Sequence, residues 1–88
     1  MIISGMLTAD TVEGGAAILL AADGSRYELL PPPGWQLDGR ARLRDPDGAV
    51  VARAGDRITI RGEVDSAMRS IHQVGPIFRI SEVVAVKR

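Results

Sequence analysis

Apolar residues along this chain fall in short runs cut by Gly, Pro and Asp, and no stretch keeps the 3.6-residue spacing of an amphipathic helix. Short apolar runs closed by turn residues predict an all-β chain. Met1–Ala9 reads as a first strand, with Ile3 and Leu7 sharing a face and Gly5 between them marking a bulge or a sharp bend. Asp10–Gly15 is a polar turn. Ala16–Ala22 is continuously apolar and fits a buried strand, although pattern alone also admits a short helix. Asp23-Gly24 then predicts a two-residue hairpin turn, because both residue types tolerate φ > 0, and Ser25–Leu30 returns with Tyr27 and Leu29 on one face.

Pro31-Pro32-Pro33 ends that strand, since residues without an amide hydrogen cannot extend a ladder. The spacing of a P-x-x-P recognition ligand is absent, and Trp35 and Leu37 are expected to turn inward and plug an open end. Arg40–Arg44 alternate strictly and Ala49–Arg53 forms a second extended piece. Between them Asp45-Pro46-Asp47-Gly48 has the residues of a type I turn, and lacks the further oxygens and distal Glu of a calcium loop. Gly55-Asp56 is another turn. It leads into Arg57–Val64, the clearest amphipathic strand, with Ile58 and Ile60 inward and Arg57, Thr59, Arg61 and Glu63 outward. Asp65–Ser70 is long enough for one turn of helix. After Gly75-Pro76, Ile77–Val86 begins with Phe78 and Ile80 inward and shifts phase to Val83, which predicts a bulge near Ser81-Glu82. The expected core holds Ile18, Leu20, Ile58, Ile60, Phe78 and Ile80.

A three-stranded meander, an intervening segment and two further strands resemble the order of an OB-fold, a five-stranded Greek-key barrel. The resemblance is best where Gly55–Val64, a loop and Ile77–Ser81 look like the last two strands of small bacterial OB-like domains built as a lone barrel. It implies one small antiparallel barrel over residues 1–88; an SH3-like barrel or a β-roll shares the same pattern. An OB-fold usually carries a helix between its third and fourth strands. Here Pro31–Gly55 reads as a Pro-rich loop plus a hairpin, so Trp35 and the hairpin are expected to replace it.

Composition narrows the function. Eighty-eight residues suit one domain, since chains devote roughly 100–200 residues to each. No apolar run approaches the roughly 20 residues of a membrane span, and the start lacks the features of a secretory signal. The expected address is therefore the cytoplasm. Without Cys there is no thiolate chemistry, and one His, His72, makes neither a metal site nor a triad, even with Ser66, Ser70 and Asp65 close in sequence. The carboxylate pairs Asp45/Asp47 and Glu63/Asp65 sit at turns, where solvated acids are ordinary. No phosphate-binding Gly loop is present. No catalytic residue, cofactor or metal is expected, and the chain reads as a non-enzyme.

Net charge is zero, but residues 1–39 carry one basic against five acidic residues and residues 40–88 carry ten against six. Ten of the eleven cations are Arg. Arg40, Arg42 and Arg44, with Arg57 and Arg61, make one candidate binding surface if their strands are neighbours. A single-stranded nucleic acid is the alternative ligand for that surface. Against it stand the interspersed acids and an aromatic set limited to Tyr27, Trp35 and Phe78, of which only Tyr27 is left for stacking bases. The favoured reading is a binding or assembly module whose partner is a protein, another copy included, with no membrane contact.

Overall fold

A computed structural model describes residues 1–10, 15–65 and 75–87. The turns expected at Asp10–Gly15 and Asp65–Ser70 fall mainly outside these residues, as does His72. The described chain is all β, with eight strands: β1 Ile2–Asp10, β2 Ala16–Ala21, β3 Arg26–Leu30, β4 Gln36–Leu37, β5 Leu43–Arg44, β6 Val50–Ala52, β7 Arg57–Asp65 and β8 Ile77–Lys87. No helix among the described residues is long and apolar enough to cross a membrane.

The five long strands form a hydrogen-bonded, barrel-like ring in the order β1-β2-β3-β8-β7. All neighbours are antiparallel except β3 and β8, which run parallel. β1 serves two neighbours by changing partner along its length, with Ile2–Met6 on β7 and Gly5–Asp10 on β2. Gly5 belongs to both ladders. No extra residue is inserted there, so the expected irregularity is a close approach: a Cβ on Gly5 would overlap the Leu20 carbonyl oxygen.

Leu7, Leu19, Leu29, Ile58, Ile60, Phe78 and Ile80 fill the interior, and the Tyr27 ring stands edge-on to Phe78 at 6.0 Å and 69°. Leu20 does not join them. It is 38% exposed and lies opposite Met6 on the outside of the ring. The hairpin loop explains the difference. Gly24 N–H donates to the Ala21 carbonyl (3.0 Å) and Ala21 N–H to the Ser25 carbonyl (2.9 Å), which makes a three-residue loop, Ala22-Asp23-Gly24, with φ 88° at Gly24 alone. A two-residue loop at Asp23-Gly24 would set Leu20 opposite Tyr27; the extra residue moves Leu19 there, and a shift of one flips every side chain to the other face. Ile18 is buried as expected, but on the outer side, in a row with Glu28 and Ile77 that is also buried.

The bulge in β8 is present. Gly62 pairs with Ile80 and Arg61 with Glu82, leaving Ser81 unopposed, and a second shift leaves Val84 unopposed. Phe78 and Ile80 therefore hand the inward face to Val83 and Val86. Between β3 and β7 the chain forms a separate antiparallel sheet, β4-β5-β6, whose Ala41, Leu43 and Ala52 join the core with Trp35, Leu37 and Val51 packed against it. Trp35 is half-buried there rather than sunk in a plug. Nor is Arg40–Arg44 one strand. Asp38–Ala41 is a turn closed by Ala41 N–H on the Asp38 carbonyl (3.0 Å), with Ala41 at φ 59°, and only Leu43–Arg44 is extended.

Candidate functional site

The five candidate arginines belong to two sheets. Arg40 lies in the Asp38–Ala41 turn, Arg42 follows it and Arg44 is in β5, which pairs with β4 and β6. Arg57 and Arg61 lie in β7, which pairs with β1 and β8. The two groups are not on paired strands.

Their electrostatics differ as well. The Asp38 carboxylate accepts Nε–H of Arg42 at 2.8 Å through one oxygen, and the backbone N–H of Arg40 (2.9 Å) and Arg42 (3.1 Å) through the other. Partial burial pushes that carboxyl up, but the N–H groups of Arg42 and Arg40 and the Arg42 charge outweigh it, holding Asp38 below the ordinary carboxylate value. Arg42 is thus a brace of its own turn. Asp45 repeats the device, one oxygen accepting the N–H groups of Asp47 (2.9 Å) and Ala49 (3.0 Å). Arg44 donates weakly to the Gly48 carbonyl at 3.5 Å. Arg61 donates to Glu82 at 2.7 Å across the β7–β8 ladder, and Arg79 pairs with Asp65. Arg40 and Arg57 are exposed, and their guanidinium groups have no partner among the described residues. Of the ion pairs named, only Arg42–Asp38 joins the acidic first part of the chain to the basic second part.

A groove of about 740 Å³ lies on the outer side of the ring where β3 ends. Leu30, Pro31, Pro33 and Met1 supply apolar walls. Arg61 and Arg79 supply charge at its margin, with Glu63 opposite Arg79 in the ladder. Gly62 and the bulged Ser81 complete the lining, although the missing side chain of Gly62 leaves room for the buried Phe78 ring and not for the groove. Neither the groove nor Arg79 was singled out from sequence. The usable signals were a Gly inside a strand and a proline stop beside a predicted bulge.

A second feature is the outer face of β1 and its neighbours. Ile2 (55%) and Met6 (41%) are exposed on it, with Leu20 beside Met6 on β2 and exposed Val84 at the β8 bulge. Between Ile2 and Met6, Ser4 Oγ hydrogen-bonds Thr59 Oγ1 at 2.7 Å. Arg57 stands opposite Met6, and Arg61 opposite Ile2. Among the described residues no three His, Asp or Glu side chains cluster closely enough to hold a metal ion. Comparison with known proteins returns no matching family model, no matching curated protein and no matching solved structure.

Proposed function

We propose that this chain is a non-catalytic binding and assembly module built as an OB-fold, associating through the outer face of β1. The strand order β1-β2-β3-β8-β7 with a single parallel contact supports the fold reading, the β4-β5-β6 sheet taking the place of the usual helix. The observation that carries the function is the exposed apolar row Ile2, Met6 and Leu20. Met6 and Leu20 are neighbours across paired strands, Ile2 lies on the same face beyond the Ser4–Thr59 hydrogen bond, and Arg57 and the Arg61–Glu82 pair border them. An apolar patch with a polar rim is the anatomy of a protein interface.

Three features weigh against a nucleic-acid ligand. Tyr27, Trp35 and Phe78 all pack on the interior, so Tyr27 is not the free stacking platform the sequence left it. The candidate arginines are divided between two sheets. OB-folds that bind oligonucleotides use the face of their second and third strands, and here the middle of that face is the buried Ile18–Glu28 pair. Light-scattering mass at two salt concentrations, with and without a single strand of about 20 nucleotides, longer than the ~4–16 that one OB-fold covers, tests the reading. A concentration-dependent mass that Met6→Ser lowers and the strand leaves alone is expected. A monomer that binds the strand with a steep salt slope overturns it.

A further inference from the structure

β1, β7 and β8 present three cross-strand rows on the outer side of the ring. Met6 stands opposite Arg57 and Arg57 opposite Lys87. Ser4, Thr59 and Ala85 make the next row, and Ile2, Arg61 and Glu82 the third. Directly opposed side chains of an antiparallel pair share a face, so the middle row is a lane of small side chains between two rows of long ones. Along β1 and β7 the outer rows are four residues apart, about 13 Å at ~3.3 Å per residue. Charge separates them. Arg61 holds Glu82, and the flanking strands hold their cations likewise, Arg26 on Asp10 and Arg79 on Asp65. Arg57 and Lys87 have no carboxylate partner among the described residues. Asp56 is next to Arg57 in sequence, but its carboxylate accepts the Arg53 N–H at 3.0 Å. Like charges directly opposite each other destabilise a sheet, so this pair works against the fold that carries it.

We propose that this face takes an acidic amphipathic helix of a partner protein, seated along the Ser4–Thr59–Ala85 lane with carboxylates on Arg57 and Lys87 and an apolar side chain on Met6. The inference rests on the binding-module reading and names its partner class. Neighbouring strands lie ~4.8 Å apart and successive helical turns ~5.4 Å. Residues one turn apart on the helix therefore meet Met6, Arg57 and Lys87 in succession. A helix about 10–12 Å wide fits between rows ~13 Å apart. A second copy fits the face less well, because an isologous contact sets the same patch against itself and brings both unpaired cations of each subunit together. Attachment to an anionic membrane takes clusters of about 4–8 cations, more than Arg57 and Lys87 supply. A nucleic acid finds no stacking platform, since Tyr27, Trp35 and Phe78 all pack on the interior.

Chemical-shift titration of the full chain tests this, with a capped helical peptide of about 18 residues, five turns, whose leucine stripe is edged by glutamates. Shifts are expected at Met6, Arg57, Thr59 and Lys87, with binding that weakens as salt is added. Replacing the glutamates by glutamine weakens binding about fivefold, the scale of two exposed charge pairs. Arg57→Gln combined with Lys87→Gln weakens it as much and does not lower the thermal midpoint, because it removes a repulsion. Equal binding of the glutamine peptide overturns the proposal, as do shifts confined to other faces. A double variant that unfolds at lower temperature also overturns it, since the two cations then serve the fold. A chain that self-associates through Met6 yet ignores the peptide retains the module reading and loses this partner. A monomer that takes the peptide on this face supports the proposal and loses only self-association.

Discussion

Gly62→Ala is a one-methyl change for which the structure leaves no room. Gly62 sits in β7 opposite Ile80, and its N–H donates to the Met1 carbonyl at 2.9 Å. A Cβ there would overlap the Arg79 carbonyl oxygen and come within 2.8 Å of Phe78 Cε1. Phe78 is fully buried and cannot swing aside, so β7 must move off β8. Overpacking of this kind costs about 1–3 kcal/mol. Two ladder hydrogen bonds stretched by the movement add about 0.5–1.5 kcal/mol each. The expected loss is roughly 2–6 kcal/mol, against a total of about 4–13 kcal/mol for a domain of this length at ~0.05–0.15 per residue. Gly24→Ala is the control. It has φ 88° but nothing within 4 Å of the added methyl, so only the left-handed backbone matters, at about 1–2 kcal/mol. Urea unfolding monitored at the midpoint, with unchanged m-values, reads both. If Gly62→Ala lies within about 1 kcal/mol of the parent, or costs no more than Gly24→Ala, the close packing at the bulge is refuted.

Other substitutions probe separate parts of the argument. Ile60 is fully buried between Ile3 and Val83, so Ile60→Ala should cost about 2–5 kcal/mol, and an unchanged thermal midpoint would show its inward face to be misassigned. Ala41 is fully buried at φ 59°, so Ala41→Gly exchanges about 1 kcal/mol of backbone relief for a buried methyl worth about 0.8 and should be near neutral. Ala41→Val, β-branched and larger, should destabilise strongly in the same denaturant series; equal effects of the two would contradict the turn geometry. Asp38 has a depressed carboxyl pKa in the folded state, so its contribution is present above the unfolded value near ~3.9 and is lost as pH falls through the lower folded value. Asp38→Asn should therefore be less stable than the parent at neutral pH, with the gap closing in acid; a gap independent of pH refutes the assigned role.

Where the pattern alternates, neighbouring residues were enough. Arg57–Val64 has one inward set whatever it pairs with, and the phase shift from Ile80 to Val83 requires an extra residue, which the structure places at Ser81. Pro31–Pro33 ends β3 for a reason contained in the residues themselves. Alternation was missing from Ala16–Ala22, so nothing local says which half of that run is inside. The choice fell to the loop, where Ala22-Asp23-Gly24 and Asp23-Gly24 are both acceptable turns, and the register that sends Leu19 rather than Leu20 to Tyr27 settled it. Arg40–Arg44 alternates convincingly, yet Asp38 draws the N–H groups of Arg40 and Arg42 onto its carboxylate, and a turn replaces half of the strand. The groove is still further from the sequence, being assembled from Met1, the end of β3, and the middles of β7 and β8. Backbone stiffness, turn chemistry and side-chain alternation act between near neighbours and are written along the chain. Register, strand partners and the depressions between them follow from burial summed over distant segments, which no single stretch contains.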